Sequence, residues 1–262
     1  MSAPTEPVSR QRSGKVILLS AGPGDLELLT LKAVKRLAEA DVLLLDELVD
    51  AGICAFAPRA RVIRVGKRGH RPSTRQEAIL RLMRRCAHLG LCVVRVKGGE
   101  ALLFGRAGEE IAHLAGYGIA FEIVNGVSSG FAAAASLGLS LTHRDHCQGV
   151  SFVTAYSRDG SEPDWAALAA TGTTLVIYMG MNRIESLAAA LNRHLPAATP
   201  AAIVEWASTA RERRALTRLD RLAETATSEG FASPSVILVG DAIGEAFPRR
   251  ISDPSILSRR FQ

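Results

Sequence analysis

The stretch VILLSAGPGDLELLT, residues 16–30, predicts the start of an α/β fold. Its first half is typical of a buried strand in a parallel sheet, and the chain then turns through Gly-Pro-Gly at 22–24 into helical periodicity. The turn lacks the third glycine of a dinucleotide-binding fingerprint and the Gly-Lys-Ser/Thr of a Walker A loop. Asp25 would also place a negative charge where a helix N-terminus would hold a phosphate. The turn therefore suits a neutral or cationic ligand. The alternative is a simple strand–helix turn in which Asp25 caps the helix at Leu28.

Strand-like segments alternate with segments of helical periodicity along most of the chain, which predicts parallel sheets covered by helices. The predicted strands are residues 16–20, 42–45, 61–65, 92–96, 121–124, 151–155, 174–178, 201–205 and 236–239. The predicted helices include 28–39 and 74–89. The second of these opens on a capping box formed by Ser73 and Gln76 and ends before Gly90.

Glycine, serine and polar residues concentrate over 125–148, which predicts a boundary between two α/β domains. We assign 15–127 to an N-terminal domain and 128–246 to a C-terminal domain, each a mostly parallel sheet flanked by helices. Residues 211–226, RERRALTRLDRLAETA, have the pattern of a short strand followed by a helix. We therefore expect the second sheet to be partly antiparallel.

The composition is that of a globular protein, with 47% hydrophobic and 22% charged residues among 262. Residues 1–14 lack the apolar core of a secretory signal and are expected to form a flexible tail, as are the basic residues 247–262. No run of about 18 apolar residues predicts a transmembrane helix, so we expect a cytoplasmic protein. The four cysteines include no CxxC pair, which favours reduced thiols over a disulfide or zinc framework.

The net charge of +6 is carried mainly by arginine, since only five of the 32 basic residues are lysine. Arginine grips carboxylates and phosphates with a planar, bidentate fork, so this bias favours an anionic partner. A GC-rich genome would produce the same bias. Composition does not separate a nucleic acid from a polycarboxylate.

A second glycine turn lies in RVKGGEALLFGRAGEEI, residues 95–111. The glycines at 98–99 would let the backbone approach a flat ligand, and Glu100 offers an acceptor for hydroxyl or amine groups. Arg106 and Glu109 are three residues apart, which predicts that they share one face of a helix. A solvated surface ion pair is the alternative interpretation of that spacing.

The segment THRDHC, residues 142–147, contains several side chains of types that bind metals. Adjacent residues on a strand or turn point in different directions, and no histidine pair has the i, i+4 spacing of a helical site. We therefore predict no metal site here and interpret Arg144 as a clamp for an anionic ligand.

Eight motifs, in register along the chain, resemble those of the tetrapyrrole methylases. They are AGPGD (21–25), LTLKA (29–33), DELV (46–49), VGKRG (65–69), KGG with FGRAGEE (97–110), LTHRD (141–145), VTA (153–155) and YMG (178–180). The resemblance covers about residues 15–240. Within the family it is strongest to the uroporphyrinogen-III C-methyltransferases, including the similar enzymes of haem d1 synthesis.

The resemblance implies a homodimer of two-domain α/β subunits with the class III methylase fold and S-adenosyl-L-methionine bound in the interdomain cleft. It implies C-methylation of uroporphyrinogen III at C2 and C7, giving precorrin-2 and S-adenosyl-L-homocysteine, for sirohaem, cobalamin or haem d1. The donor carries a sulfonium cation and no phosphate, in agreement with the first turn. Arginines would hold the acetate and propionate groups of the substrate. No metal, membrane or nucleic acid takes part.

The same resemblance assigns roles to individual residues. Asp46 and Lys67 match the positions of proton transfer, and Glu109 is a further carboxylate that can assist proton loss. Arg106 and Arg144 match positions that face the tetrapyrrole. The implied cofactor contacts are Pro23, Gly98, Gly99, Glu100, Leu103, Ser128, Ser129, Met179 and Ala207.

Several residues depart from the family pattern. The second glycine loop usually reads Gly-Gly-Asp-Pro, whereas Glu100 and Ala101 follow the glycines here. Ala207 replaces a glycine, Ser128 replaces a threonine, and Glu47 replaces an arginine. We therefore expect an active enzyme whose affinity for the cofactor is altered.

Three other functions stay open. One is a later corrin-ring methyltransferase of the same fold, although VGKRG, FGRAGEE and LTHRD resemble the first-step enzymes most. Another is methylation of ribosomal RNA or a translation factor, which the positive charge suits, although 5% aromatic residues offer little for base stacking. The third is a non-enzymatic regulator that has retained the fold.

Overall fold

The computed structural model describes residues 14–65, 76–157 and 159–246. Contacts divide the chain into two compact units, Met1–Val127 and Ser128–Gln262. All but one residue of the predicted tails lies outside the described residues. Within the described ranges, no helix is both long enough and apolar enough to cross a lipid bilayer.

The first unit is built on a five-stranded sheet whose strands are all parallel. In the part of the chain that the structure describes, these strands are β1 (Lys15–Ser20), β2 (Val42–Leu45), β3 (Arg61–Arg64), β4 (Cys92–Lys97) and β5 (Ala120–Val124). Their order in the sheet is β3-β2-β4-β1-β5. The whole of β2 and nearly all of β1 are buried, which explains why these strands are apolar on both faces.

Helices cover both faces of this sheet. They are α1 (Leu31–Ala38), α2 (Gln76–His88) and α3 (Ala107–Gly116). Side chains of β1 alternate between the faces, as the pleat of a strand requires. Ile17 and Leu19 belong to the core that includes Leu37 of α1. Val16 and Leu18 belong to the opposite core, which includes residues of α2 and α3.

The second unit contains a mixed five-stranded sheet. Its strands among the described residues are β6 (Val150–Thr154), β7 (Thr174–Tyr178), β8 (Pro200–Glu205), β9 (Arg213–Arg218) and β10 (Ser235–Val239), in the order β6-β7-β10-β8-β9. The β6–β7 pair is parallel, and the other three pairs of this sheet are antiparallel.

The prediction of a mostly parallel sheet is confirmed for the first unit and wrong for the second. The expectation that the second sheet is partly antiparallel is confirmed. The physical reason lies in the connection from β8 to β9, residues 206–212, which is too short for the helical crossover that a parallel pair needs.

Helices also cover both faces of the second sheet. They are α4 (Ser129–Leu137), α5 (Trp165–Ala170), α6 (Ile184–Asn192) and α7 (Leu222–Ser228). Val176 of β7 packs in the core that includes α4. Its neighbours Leu175 and Ile177 face the opposite core, which includes residues of α5, α6 and α7.

All nine predicted strands are present, and each bound lies within one residue of the prediction. The predicted helix 74–89 corresponds to α2. Ser73 of its predicted capping box lies outside the described residues. Gln76 donates a hydrogen bond from Nε2 to Glu110 Oε1 at 3.1 Å, so this side chain connects α2 to α3.

The segment after the first glycine turn differs from the prediction of one helix over 28–39. A short 3₁₀ turn, Leu26–Leu28, precedes α1, and Thr30 caps α1 by accepting a hydrogen bond from the Ala33 backbone N–H. Asp25 accepts a hydrogen bond from the Glu27 backbone N–H at 2.8 Å. Asp25 therefore caps the 3₁₀ turn, and Thr30 caps the longer helix that follows it.

Candidate functional site

Four strands of the first sheet, β1, β2, β4 and β5, end at one edge because they run parallel. The residues that follow them are Ala21, Asp46, Gly98 and Asn125. Ligands of α/β folds bind at the carboxyl edge of the strands. The topology thus brings together Pro23, Asp46 and the turn at 98–99, which the sequence predicts as site residues.

Two backbone hydrogen bonds join the two glycine turns. The Gly99 backbone N–H donates to Gly22 O at 2.7 Å, and the Gly22 backbone N–H donates to Gly99 O at 3.2 Å. Both glycines have left-handed backbone, with φ of 75° at Gly22 and 64° at Gly99. This conformation costs glycine little and costs other residues about 1–2 kcal/mol. The two turns therefore form one structural element, in which Gly22 and Gly99 carry no side chain that would cover their backbone. Pro23 and Gly98 lie beside it.

Glu100 is turned towards the protein and holds three loops together. Its Oε1 accepts hydrogen bonds from the Leu102 backbone N–H at 3.0 Å and from Ser20 Oγ at 3.3 Å. Its Oε2 accepts from the Gly126 backbone N–H at 2.8 Å and from Asn125 Nδ2 at 3.4 Å. A carboxylate has about four lone-pair positions, so these donors occupy its capacity. Glu100 therefore fixes the shape of the glycine loop.

Asp46 is held by a guanidinium group that lies almost entirely inside the protein. Arg95, on β4, is 2% exposed, and its Nη2 donates to Asp46 Oδ2 at 2.9 Å. Its Nε donates to Oε1 of Glu110, a fully buried residue of α3, at 3.2 Å. Lys97 Nζ donates to the same Glu110 oxygen at 3.3 Å. We name Asp46, Arg95, Lys97 and Glu110 the buried charge network.

The buried charge network contains two cationic and two anionic side chains. Burial lowers the pKa of Lys97 below its ordinary value, and the charge of Arg95 acts in the same direction. The carboxylates of Glu110 and Asp46 oppose that shift. The network thus holds the partly exposed carboxylate of Asp46 at the sheet edge through Arg95 and Glu110, which solvent hardly reaches.

Arg106 and Glu109 contact each other as their spacing predicts, but Arg106 lies just before α3 as its N-cap residue with left-handed backbone, and not on a face of the helix. Arg106 Nε lies 2.8 Å from Glu109 Oε1, and Nη2 lies 2.7 Å from Oε2, so the ion pair is bidentate. Each side chain is 49% exposed. Hydrogen bonding to Glu109 raises the pKa of the Arg106 guanidinium. The pair is oriented and solvent-facing, and the interpretation as a surface ion pair fits the same geometry.

In the second unit, the side chain of Tyr178 holds the start of α4. The Gly130 backbone N–H donates to the Tyr178 hydroxyl at 2.9 Å, and Ser128 Oγ lies 2.6 Å from the same oxygen. Burial raises the pKa of the Tyr178 phenol, while hydrogen bonds, first that of Ser128, oppose the shift. Tyr178 therefore fixes Ser128 and Ser129, two predicted cofactor positions, and it directly precedes Met179, a third.

Strained backbone is concentrated at the predicted positions. Among the described residues, five non-glycine residues have positive φ: Phe104, Arg106, Met179, Trp206 and Ser208. Each is itself a predicted site residue or the direct neighbour of Leu103 or Ala207. Left-handed backbone in such residues costs about 1–3 kcal/mol and clusters at functional sites. This distribution is independent support for the positions that the sequence motifs indicate.

Two predicted residues gain little from the structure. Lys67 lies outside the described residues. Arg144 is exposed on a turn of the second unit, before β6. Their assigned roles stay predictions.

Two histidines of THRDHC lie side by side, although they are not adjacent in the sequence. The His146 backbone N–H donates to His143 O at 3.0 Å, and this turn brings the two imidazole rings to a centroid distance of 4.7 Å. His146 Nε2 also lies 2.7 Å from Oε1 of Glu245, far along the chain. Cys147 points elsewhere, since its Sγ lies 3.4 Å from Thr174 Oγ1. The turn aligns two residues that are three apart, an arrangement that the prediction for adjacent residues does not cover.

The sequence interpretation also missed the supporting side chains Arg95, Glu110 and Tyr178. A signal was present for the first two. Arg95 and Lys97 are charged residues at alternate positions of an otherwise apolar strand, so both point to one face of the sheet. Buried charges need partners, and Glu110 on the covering helix supplies one.

Comparison with known proteins finds relatives along most of the chain. Residues 15–223 match the family model of the Tetrapyrrole (Corrin/Porphyrin) Methylases. A uroporphyrinogen-III C-methyltransferase of Pseudomonas aeruginosa is 46% identical over 92% of this chain and 98% of its own length. A siroheme synthase of Aeromonas hydrophila is 44% identical over 90% of this chain, but the chain spans 50% of that longer protein.

Solved structures share the fold. A uroporphyrin-III C-methyl transferase of Thermus thermophilus, complexed with S-adenyl homocysteine, superposes with a TM-score of 0.77 and is 40% identical, covering 88% of this chain and 99% of that one. A cobalt precorrin-4 methyltransferase of cobalamin biosynthesis has a TM-score of 0.79 at 29% identity, covering 90% of this chain and 98% of that one. The family match covers the whole first sheet and four of the five strands of the second, and the fold agrees with it, so the chain belongs to the tetrapyrrole methylases.

Proposed function

We propose that this chain is an S-adenosyl-L-methionine-dependent uroporphyrinogen-III C-methyltransferase that methylates C2 and C7 of the macrocycle and gives precorrin-2. The observation that carries the proposal is the similarity to the Pseudomonas aeruginosa enzyme over nearly all of that protein. The geometry of the first unit is consistent with it, because its sheet edge combines a backbone platform with an oriented carboxylate.

The residues at the glycine turns fit a sulfonium cofactor. Carboxylates of Asp25 and Glu100 flank the two turns, which favours a cation and disfavours a pyrophosphate. The cofactor supplies an electrophilic methyl group on a positively charged sulfur. In our proposal Pro23, Gly98 and Gly99 contact it through backbone and ring atoms, and Glu100 keeps the turn in shape.

The cofactor positions proposed in the second unit rest on the residues around Tyr178 and Ala207. Ser128 and Ser129 are fixed by hydrogen bonding around the Tyr178 hydroxyl. Met179 has left-handed backbone, and so do both neighbours of Ala207. These positions, like Leu103 in the first unit, are proposals whose support is this local rigidity.

Asp46 is proposed to accept the proton that the methylated ring loses. Arg95 orients its carboxylate through Oδ2, and Glu110 holds Arg95 in place. Arg106 and Arg144 are proposed to bind substrate carboxylates, and Glu109 keeps the Arg106 fork oriented through two of its five N–H groups. Lys67 keeps its predicted role in proton transfer as a proposal.

Positioning is the main contribution we assign to these residues. An electron-rich pyrrole carbon needs to lie in line with the methyl group, and holding two reactants in such a geometry is worth roughly 7–11 kcal/mol in favourable systems. A later corrin-ring methyltransferase is the second candidate, because a relative of that class superposes closely. Its lower sequence identity makes it the weaker one. We further propose a cytoplasmic homodimer, as the family resemblance implies.

Titration with S-adenosyl-L-homocysteine tests the cofactor site. We expect the wild type to bind and Gly99→Ala to bind at least about tenfold more weakly, a difference of about 1.4 kcal/mol. Gly118→Ala is a matched control, because Gly118 has the same φ of 64° as Gly99 and lies after α3 in open space. Absence of binding by the wild type at about millimolar ligand would contradict the proposal.

Transfer of labelled methyl groups to enzymatically generated uroporphyrinogen III tests the reaction. Two labelled methyl groups per macrocycle are expected, with precorrin-2 as the product. Activity on a later corrinoid and none on uroporphyrinogen III would favour the second candidate. Binding of the cofactor product without methyl transfer to either substrate would contradict both.

A further inference from the structure

We propose that His143, His146 and Glu245 form a binding site for a divalent transition-metal cation of the Zn²⁺ or Ni²⁺ class. One potential ligand atom of each residue lies within 4.8 Å of the other two. Within the described residues, this is the one group of three or more His, Cys, Asp or Glu side chains with such a geometry. It lies in the second unit and includes none of the residues to which we assign the methyl transfer.

The backbone builds this cluster from two segments. Hydrogen bonds from the backbone N–H groups of His146 and Cys147 to His143 O, at 3.0 and 2.9 Å, close the turn that aligns the imidazoles. The 3₁₀ turn Asp241–Ala246 carries Glu245 to the same place, where Oε1 lies 2.7 Å from His146 Nε2. Two ligands three residues apart and one distant ligand are thus brought together by folding.

The donor set selects the class of metal. Imidazole nitrogen suits Zn²⁺, Ni²⁺ and Cu²⁺, whereas Mg²⁺ and Ca²⁺ prefer oxygen ligands. Two imidazoles and one carboxylate also leave a fourth tetrahedral position for water. Metal bonds of about 2.0–2.1 Å place tetrahedral ligand atoms about 3.3 Å apart. The His146–Glu245 separation therefore has to open by about half an ångström as the ion replaces the shared proton.

Asp145 stands where an outer carboxylate would orient a bound imidazole. Its Oδ2 lies 3.8 Å from His143 Nδ1, and its backbone N–H donates a hydrogen bond to the same nitrogen at 3.3 Å. Metal-bound histidines usually direct their second nitrogen to such a group. Metal binding through Nε2 of His143 requires the ring proton on Nδ1, which would then donate to the Asp145 carboxylate in place of the hydrogen bond that Nδ1 accepts from the Asp145 backbone N–H. A bound ion would also fix the turn that carries Arg144. An effect of that on substrate binding rests on the proposed function, whereas metal binding itself does not.

Calorimetric titration of the full chain, free of any histidine tag, with Ni²⁺ or Zn²⁺ alone tests the site. We expect one ion per chain. His146→Ala and Glu245→Gln should each weaken binding by about tenfold or more, since even outer partners are worth about 10–100-fold at metal sites. Both side chains are exposed, so thermal melting in metal-free buffer should show that the variants remain folded.

Two variants serve as controls. His194→Ala removes an exposed histidine elsewhere in the second unit, and Cys147→Ser removes the thiol next to the cluster. Both should bind metal as the wild type does. The proposal is overturned if the wild type binds no ion, or if His146→Ala and Glu245→Gln retain wild-type affinity. It is also overturned if Cys147→Ser alone abolishes binding.

Discussion

The guanidinium of Arg95 donates a hydrogen bond to the carboxylate of Asp46 at 2.9 Å, although only 3% of the Arg95 side chain is exposed and 36% of the Asp46 side chain is. The buried partner thus determines where the accessible partner points. Arg95 is in turn bound by Glu110, which solvent does not reach. A carboxylate with this support keeps its position while a substrate approaches, as a proton acceptor needs to do.

Substitution Asp46→Asn is expected to lower kcat by about 10²–10⁴-fold, the contribution of a positioned general base. The affinity for S-adenosyl-L-homocysteine should not change. Initial rates of methyl transfer and calorimetric titration measure the two quantities. Glu77→Gln, an exposed carboxylate on α2, is the control and should leave both unchanged. A normal kcat in Asp46→Asn would show that this carboxylate does not take the proton.

Arg95→Lys tests whether Arg95 acts through Asp46. Lysine keeps the charge near Glu110 but lacks the fork that reaches both carboxylates. We expect a lower kcat with little change in KM in the wild-type background, and no further loss in the Asp46→Asn background. Such non-additivity is the signature of residues that act as a unit. Equal losses in both backgrounds would show that Arg95 affects the rate independently of Asp46.

Glu110→Gln should destabilise the first unit by about 3–5 kcal/mol, because it removes the buried negative charge that Arg95 and Lys97 share. Urea denaturation followed by circular dichroism measures the loss. Glu109→Gln is the control, since this neighbouring residue is half-exposed and its ion pair contributes about 0–1 kcal/mol. Similar losses in the two variants would mean that burial of the network is less complete than the structure shows.

The sequence predicts the strands accurately because the buried strands combine β-branched and apolar residues between clear turns. It also predicts each glycine turn as a candidate ligand site, but not the hydrogen bonds that join the two turns. What it does not contain are side-chain partners that are distant along the chain. Glu100 appears as a ligand acceptor in the sequence, yet its reach to the backbone of Gly126 depends on how β5 ends beside β1.

The direction of the second sheet shows the same limit. Hydrophobic periodicity identifies a strand but not its orientation, so β8 and β10 resemble the parallel strands of the first unit. The short strand at β9 is the one sign of an antiparallel pair in the sequence. Their antiparallel pairing follows from the lengths of the connections and from tertiary packing. Likewise, His143 and His146 come together through a backbone turn that residue spacing alone does not predict.

Glu122 should make the stability of the chain depend on pH. Hydrogen bonds from Arg36 and Lys32 lower the pKa of this carboxyl from an ordinary 4.5 to about 2. A carboxyl whose pKa is depressed in the folded state stabilises the fold above its unfolded pKa and loses that effect as the pH falls through its folded pKa. The contribution is therefore complete near neutral pH and declines from about pH 4.5 towards pH 2.

Urea midpoints of the wild type and Glu122→Gln, measured between about pH 7 and pH 3, test this dependence. The wild type should be more stable by about 1 kcal/mol at neutral pH, a value kept small because solvent screens a partly exposed ion pair. The difference should narrow below about pH 4.5. A difference that is independent of pH would show that the carboxylate charge is not what stabilises this contact.

Gly130→Ala should both destabilise the second unit and weaken cofactor binding. A Cβ at this position would lie 2.6 Å from the Tyr178 hydroxyl, 2.7 Å from Val176 Cγ1 and 3.0 Å from Phe152 Cε1. All three atoms belong to packed side chains of the sheet, so α4 has to move to remove the overlap, at a cost of about 1–3 kcal/mol. Movement of α4 would break the hydrogen bonds of the Tyr178 hydroxyl to Gly130 and Ser128.

The control for this substitution is Gly116→Ala at the end of α3, where a Cβ meets no atom within 4 Å. That variant should be as stable as the wild type or more stable by up to about 1 kcal/mol, because alanine favours a helix. Urea denaturation and titration with S-adenosyl-L-homocysteine measure both variants. If Gly130→Ala loses stability but binds the ligand normally, the start of α4 does not contact the cofactor, and Ser128 and Ser129 leave the proposed site. If it loses neither stability nor affinity, α4 accommodates the added methyl group without moving away from β6 and β7.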